Sequence, residues 1–198
     1  MDFALAALEL PIRIRWEQPI TDEELLRLSA ENRSLRLERD ANGELLVMSP
    51  TGTEGGGFEA EVFTELAFWT RSDGRGKAYS SSAGFKLPNS SVRAADAAWV
   101  SHRRLNAVSA EERKGYWPVC PEFVIEVRSE SDKLSELRAK MEEWIANGAE
   151  VAWLIDPIDR SVTVYRPGDS PEEHVNPSSV QGTGPIAGFE LVLQRVWG

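Results

Sequence analysis

The stretch PEFVIEVRS, residues 121–129, decides the fold of this chain. Residues 123–127 are β-branched or aromatic except for Glu126, a composition that predicts a strand buried on both faces. Side chains alternate along a strand, so Val124, Glu126 and Arg128 are expected to share one face. A buried ionised carboxylate is costly unless a cation or hydrogen-bond donors hold it. Glu126 is therefore either a structural residue, paired for example with Arg128, or part of a functional site.

A second acidic residue interrupts an apolar segment in the same way. Residues 92–100, VRAADAAWV, predict one longer strand that contains Asp96. Carboxylates fixed on rigid strands are the hard oxygen ligands that a divalent cation needs, so we expect Asp96 and Glu126 to lie side by side and share one ion. A plain scaffold in which both carboxylates are structural is the alternative. With two His and a single Cys, a zinc site rich in His or thiolate is not expected.

The pattern around these two strands predicts a single α/β domain over residues 1–198, because no linker or internal repeat separates its parts. A capping box, Thr21 to Glu24, opens a helix that ends near residue 30. A glycine-rich segment, 51–57, is expected to be a flexible loop before a helix, because it lacks the Lys-Ser/Thr of a phosphate-binding loop. The other predicted elements are a hairpin at 35–39 and 44–48, a helix at 58–71, short strands at 77–81 and 84–87, a polar helical segment at 102–115, a helix at 133–147, a strand at 151–155, its hairpin partner at 161–166, and an irregular tail at 167–188 before apolar packing at 188–197.

The distribution of charge limits the kinds of partner. A formal net charge of −10 excludes a protein that coats nucleic acid nonspecifically. Residues 71–114 nevertheless carry nine Lys or Arg against four Asp or Glu, so a polyanion such as DNA would dock there, unless the excess is an ordinary fluctuation of surface charge. No run approaches the roughly 20 apolar residues of a membrane helix, and the N-terminus lacks the basic start of a signal peptide. We therefore expect a cytoplasmic protein without membrane contact.

Several short motifs, spread over nearly the whole chain, occur together. They are SPTG at 49–52, GFKLP at 84–88, DAAWV at 96–100, the stretch at 121–129, KMEEW at 140–144, NGA at 147–149 and WLIDP at 153–157. With these motifs the sequence resembles the Uma-type family of restriction-endonuclease-like proteins, a bacterial group abundant in cyanobacteria and part of the PD-(D/E)XK nuclease superfamily. The resemblance implies a restriction-endonuclease-like core, an α+β fold whose mixed sheet has flanking helices, with an extra N-terminal helix and hairpin.

The resemblance also implies a chemistry: hydrolysis of phosphodiester bonds in DNA with Mg²⁺ or Mn²⁺ as cofactor. It matches Asp96 and Glu126 to the catalytic metal ligands, joined by the main-chain oxygen of Val127, and Glu61 to an acidic position that assists the metal. The family motif has Lys where this chain has Arg128, whose pKa is too high for a base. Catalysis then needs a lysine from elsewhere. The alternative is a catalytically inactive nuclease-fold module that binds DNA or a protein.

The helix predicted at 133–147 offers that lysine. On a helix that turns by about 100° per residue, Lys140 lies just outside one edge of the apolar stripe. Its aliphatic stem can follow the packed surface and bring the ammonium to the sheet, and the resemblance places a Lys at this position. We expect Lys140 to orient the attacking water, with Lys133 as second choice. The alternative is that the Lys140 ammonium extends into solvent or pairs with Glu136 or Glu143.

The tryptophans point to self-association. The chain has seven Trp, and Trp16, Trp117 and Trp197 lie in segments with weak amphipathic periodicity, where a partner surface would cover them. We expect a two-fold homodimer, which also suits an enzyme that cuts both strands of a duplex.

Overall fold

The structure is a computed structural model and describes residues 11–49 and 51–197. Two sheets and the helices packed on them carry the fold in this part of the chain. The helices are α1 (Asp22–Glu31), α2 (Thr53–Asp73), α3 (His102–Ala107), α4 (Leu134–Ala146) and α5 (Gln194–Trp197). The strands are β1 (Ile12–Ile14), β2 (Arg36–Arg39), β3 (Leu45–Met48), β4 (Gly76–Ser80), β5 (Phe85–Lys86), β6 (Val92–Arg93), β7 (Ala97–Ser101), β8 (Phe123–Val127), β9 (Val151–Asp156), β10 (Ser161–Tyr165), β11 (Glu172–Val175), β12 (Ser179–Gln181) and β13 (Glu190–Val192).

The larger sheet has six strands in the order β11-β10-β9-β8-β7-β4. Only β8 and β9 are parallel, and α4 connects them, because parallel neighbours need a crossover that packs back on the sheet. All five side chains of β8 are buried. Phe123 and Ile125 pack in the cluster that contains α2, whereas Val124 packs with Met141 and Trp144 of α4. The strand predicted at 123–127 is thus covered by a helix on each face, and Glu126 lies on the α4 side.

The smaller sheet has five antiparallel strands in the order β1-β3-β2-β6-β5, with α1 packed against it through the fully buried Leu25. The predicted capping box at the start of α1 is present. The predicted hairpin is β2–β3, and its turn uses Gly43 at a φ of +81°, where a side chain would be strained. The predicted mixed sheet with flanking helices and an added N-terminal helix and hairpin is confirmed.

The segment 92–100 is not one strand, and this prediction is wrong. Residues 92–93 form β6 in the smaller sheet, and the chain then crosses to the larger sheet, where β7 begins at Ala97. Residues 94–96 are buried because they pass between the two sheets. An apolar pattern indicates that residues are buried but not which sheet they join, so it could not predict that the chain crosses from one sheet to the other. Asp96 therefore lies where the sheets meet.

The glycine-rich segment is helical, which corrects the predicted loop. The helix α2 begins at Thr53 with Gly52 as its N-cap, so three glycines occupy its first turns. Glycine disfavours a helix by roughly 1 kcal/mol relative to alanine, but Val62 and Leu66 anchor this helix fully in the core. Packing of the longer helix outweighs the local preference.

The tail also contains more structure than predicted. The polar strand β11 adds to the edge of the larger sheet beside β10, and β12 pairs with β13 in a small separate sheet. Within the described residues, no helix is both long and apolar enough to cross a membrane.

Candidate active site

The two carboxylates predicted from the sequence are neighbours across β7 and β8. Ala97 lies opposite Ile125 in the antiparallel register, and one further step places Asp96 opposite Glu126. The main-chain N–H of Val127 donates to Oδ2 of Asp96 at 2.8 Å. Both carboxylates are buried and both line one cleft of about 430 Å³.

Lys140 reaches these carboxylates from α4, which crosses above this face of the sheet. Its Nζ lies 2.9 Å from Oε1 of Glu126 and 3.1 Å from Oε1 of Glu38. It also donates to the main-chain oxygen of Ala94 at 2.9 Å. The ammonium thus donates hydrogen bonds to Glu38 and to the main-chain oxygen of Ala94, and it forms an ion pair with Glu126.

The partners that were considered for Lys140 are engaged elsewhere. Glu136 pairs with Lys133 at 3.4 Å, and Glu143 pairs with Arg93 at 2.6 Å. The Lys133 side chain is 74% exposed and stays at the rim of the cleft. Lys140 is therefore the lysine that contacts the buried carboxylates.

Arg128 does not pair with Glu126, which was the structural alternative considered for that carboxylate. Its guanidinium lies 2.6 Å from Asp156 and 3.3 Å from Asp159. The strand ends at Val127, so strict alternation of side chains does not extend to Arg128. Trp144 instead donates its indole N–H to Glu126 at 3.0 Å.

The sequence reasoning missed two residues of β2 that enter the site. Arg36 contacts Oδ1 of Asp96 at 2.8 Å, and it also donates to the main-chain oxygen of Ala94. Glu38 is 2% exposed and accepts from Lys140, from Arg93 at 3.1 Å and from the main-chain N–H of Ala94 at 3.2 Å. The sequence did contain one indication of their role: two charged residues at alternate positions of a predicted hairpin strand share one face and can enter the same site.

Burial and charge shift the two glutamate pKa values in opposite directions. Burial raises the pKa of Glu126 to about 7; the charge of Asp96 adds to this effect, while Lys140 and Arg36 oppose it. Burial alone would also raise the pKa of Glu38, but Lys140, Arg36 and Arg93 outweigh it and hold that pKa at about 2. Glu38 is therefore a permanent anion, whereas Glu126 changes protonation near neutral pH.

Glu61 is not part of the cleft, which corrects its expected place beside the metal. It pairs with Arg195 at 3.4 Å, whereas Glu59 lines the cleft and accepts from the Thr51 hydroxyl at 2.6 Å. Two residues along a helix differ by about 200°, so Glu59 and Glu61 face different sides of α2. Burial and the charge of Asp96 raise the pKa of Glu59.

The basic segment 71–114 does not form the floor or the rim of the cleft. Of its nine basic residues only Arg93 lines the cleft, and most of the others contact groups of their own surroundings: Arg75 pairs with Asp73 at 2.6 Å and Arg104 with Glu122 at 3.0 Å. The excess of charge counted along the segment is thus largely neutralised. The basic residues that line the cleft are Arg13, Arg36, Arg93, Lys133 and Lys140.

The carboxylate oxygens of the site suit a hard cation that keeps several water ligands. They are too few to supply all the ligands of a metal ion. Across residues 11–49 and 51–197, no three His, Cys, Asp or Glu side chains form a group that could hold a metal. Mg²⁺ is commonly bound through one or two carboxylates together with several waters. Asp96 and Glu126 provide two such carboxylates at one end of the cleft, and the guanidinium of Arg36 shows that a cation fits beside Asp96.

Comparisons with known proteins agree with this fold. No curated protein matches the chain. The crystal structure of a "putative nuclease belonging to DUF820" from Anabaena variabilis has a TM-score of 0.73 and 19% sequence identity, over 90% of this chain and 98% of that one. At this identity the likeness shows a shared fold. The model of the Uma2 family, described as "Putative restriction endonuclease", matches residues 22–195. The chain therefore belongs to the Uma2 family.

Proposed function

We propose that this Uma2 protein is a metal-dependent endonuclease that hydrolyses phosphodiester bonds of DNA. In this proposal Asp96 and Glu126 hold Mg²⁺ or Mn²⁺, and Lys140 orients the attacking water. The observation that carries it is the ammonium of Lys140 at 2.9 Å from Glu126. An amine thus reaches the carboxylate pair although the motif position on β8 holds Arg128.

Each of these residues has a distinct task in the reaction. The divalent cation, when bound, supplies a water of lowered pKa and neutralises charge on the phosphate. The main-chain N–H of Val127 orients Asp96, the indole of Trp144 orients Glu126, and the main-chain oxygen of Val127 is the further ligand. Lys140 donates a hydrogen bond that holds the water and stabilises the negative charge of the transition state. In this proposal Glu59, and not Glu61, is the acidic residue of α2 that assists the metal.

The substrate contacts the basic rim of the cleft. Lys133 is 74% exposed and Arg13 is 51% exposed, so both are accessible to backbone phosphates. The family description supports a nuclease, and the net charge of −10 disfavours binding of DNA over the whole surface, which leaves the basic rim of the cleft as the proposed contact.

Cleavage of supercoiled plasmid with Mg²⁺ or Mn²⁺ tests the proposal. Asp96→Ala, Glu126→Ala and Lys140→Ala are each expected to lose metal-dependent cleavage by at least about 100-fold, the usual size of an acid–base or charge-stabilising contribution. Lys114→Ala, at an exposed lysine away from the cleft, should cleave like the wild type. Circular dichroism checks that every variant folds. Full cleavage by Lys140→Ala removes that lysine from the mechanism.

We also propose a two-fold dimer. Trp117 donates to the main-chain oxygen of Arg113 at 3.1 Å and Trp197 to that of Pro177 at 3.2 Å, so both are engaged within the chain. Trp16 is 49% exposed, so it is the tryptophan of these three that a second copy of the chain would cover. Light scattering at high micromolar concentration should give twice the mass of the chain, and a monomer mass contradicts the dimer.

A binding module without catalysis is the second candidate. Its support is that Lys140 already contacts Glu126, Glu38 and the main-chain oxygen of Ala94, and that Arg36 is already bound to Asp96. Such a protein binds duplex DNA but leaves it intact with either metal. Fluorescence anisotropy with labelled DNA, run beside the plasmid assay, separates the two functions.

A further inference from the structure

Arg36 connects the two sheets. It belongs to β2 of the smaller sheet, but its guanidinium contacts Asp96, which directly precedes β7 of the larger sheet, 2.8 Å from Oδ1. The side chain lines the cleft and is 23% exposed. Its Nε is buried and has no hydrogen-bond partner within the described residues. The guanidinium is thus held by Asp96 and by the main-chain oxygen of Ala94, while its side chain lines the cleft.

Both oxygens of Asp96 are engaged by donors of the protein. Arg36 contacts Oδ1, and the N–H of Val127 donates to Oδ2. The second carboxylate, Glu126, has its own cation in Lys140. Each acid of the proposed metal site is therefore neutralised by a different basic residue of the same chain. A divalent cation that binds Asp96 through Oδ1 meets the positive charge of Arg36 at close range.

We propose that Arg36 is an exchangeable counter-ion: it pairs with Asp96 in the free protein and moves to a backbone phosphate when a divalent cation takes Asp96. The proposal rests on the nuclease function proposed above. A guanidinium suits this exchange because its planar donors bind carboxylate and phosphate equally well in bidentate geometry. Arg36 is a positioning residue in the free protein and a phosphate ligand in the complex.

This exchange makes metal binding and DNA binding cooperative. Without DNA, the guanidinium stays near Asp96 and weakens the binding of a cation by repulsion. A phosphate in the cleft gives the guanidinium another anion, so each ligand strengthens the binding of the other by the same factor. A merely structural arginine that holds Asp96 in place would have the opposite effect, because its loss would weaken metal binding.

The test is calorimetric titration of the full chain with Mn²⁺ alone. Arg36→Met, which keeps an aliphatic stem but no charge, is expected to bind Mn²⁺ about tenfold tighter than the wild type, in the range of ordinary coupling energies. Arg36→Lys keeps the charge and should remain near the wild type. Lys133→Gln removes a cleft cation that does not contact either carboxylate and should change the dissociation constant less than about twofold, because exposed charges are screened.

A second measurement uses a short DNA duplex with a phosphorothioate backbone that resists cleavage, in Mn²⁺ so that a cation can take Asp96. Arg36→Met should bind this duplex about tenfold more weakly, which is a usual loss for one bidentate contact. Weaker or unchanged Mn²⁺ binding by Arg36→Met, with plasmid cleavage intact in the wild type, overturns the exchange alone. Absence of Mn²⁺ binding in all four proteins overturns the metal site itself. Arg36→Gln, which also removes the charge, has the same expected results and covers the case in which Arg36→Met does not fold.

Discussion

Each acid of the candidate site is held by a cation from a different element of the fold. Lys140 on α4 contacts Glu126, and Arg36 on β2 contacts Asp96. Glu38 joins the two groups because it contacts Lys140 and lies 3.6 Å from Arg36. Removing one partner of a buried ion pair costs more than the pair contributes, because a buried charge is left uncompensated. These residues therefore depend on one another.

The carboxylate Glu126 should make the metal-free protein less stable at alkaline pH. In the folded chain burial raises its pKa to about 7, above its usual value of 4.5, so the unfolded chain releases this proton more readily. The free energy of unfolding should then decrease as the pH rises from about 5 to 8, by at most about 3 kcal/mol. Glu126→Gln should remove most of this decrease, whereas Glu130→Gln, at an exposed position, should not. Urea unfolding in EDTA at about pH 5 and pH 8 measures the free energy of unfolding. An equal decrease between these pH values in the wild type and in Glu126→Gln contradicts this prediction.

Glu38 should act in the opposite sense and in a lower pH range. Its pKa is held at about 2, below its usual value of 4.5, so its ionised form stabilises the fold above pH 4.5 and this contribution is lost as the pH falls toward 2. Glu38→Gln should lower the free energy of unfolding at pH 7 by about 3 kcal/mol, because three cations lose their common anion. Acid unfolding followed by circular dichroism tests this. The difference from the wild type should shrink below pH 4.5, and a constant difference contradicts the ion-pair origin.

The acids of this site could be predicted from the sequence, but their partners on β2 could not. Asp96 and Glu126 stand out because each interrupts an apolar run, and a local pattern is enough to find them. Arg36 and Glu38 lie in a hairpin that was predicted, yet their role depends on the pairing of β2 with β6 more than 50 residues away. Alternation along one strand does not specify such a pairing. Lys140 could be found because helical spacing fixes its side of α4.

The start of α2 shapes one wall of the cleft and depends on a particular glycine. A Cβ at Gly55 would overlap the methyl group of Thr51, whose hydroxyl is bound to Glu59. Nothing lies within 4 Å of a Cβ at Gly57. Local helix propensity is the same at both positions, which is why the sequence pattern predicted a loop and could not distinguish the two glycines.

Alanine substitutions at these glycines should have effects of opposite sign. Gly57→Ala should stabilise the protein by up to about 1 kcal/mol, the difference in helix propensity between the two residues. Gly55→Ala should lower the melting temperature, because Thr51 must move and its hydrogen bond to Glu59 is disturbed. Thermal unfolding followed by circular dichroism measures both. A higher melting temperature for Gly55→Ala contradicts the close approach.

The cleft exists because two sheets meet at residues 94–96, and neither sheet alone carries it. The order of most elements along the chain, the burial of β8 on both faces and the family follow from local patterns and short motifs. The position of the smaller sheet against α4 does not, since it is fixed by contacts such as Lys140 with Glu38 and Arg93 with Glu143. The prediction that DNA docks on the segment 71–114 failed to account for the same kind of contact. Charge counted along the sequence does not show which basic residues form ion pairs in the folded chain.

The fold therefore predicts that DNA binding depends on the rim of the cleft and not on the segment 71–114. Lys133 lies on the rim, whereas Lys77 is an exposed lysine of that segment outside the cleft. Lys133→Gln should weaken binding of a DNA duplex and reduce the slope of log K against log salt concentration by about 1, as expected for one lost phosphate contact. Lys77→Gln removes the same charge and should leave that slope unchanged. Fluorescence anisotropy in EDTA at several salt concentrations measures both. An equal loss of DNA affinity in Lys77→Gln would indicate that DNA binds to the basic segment instead.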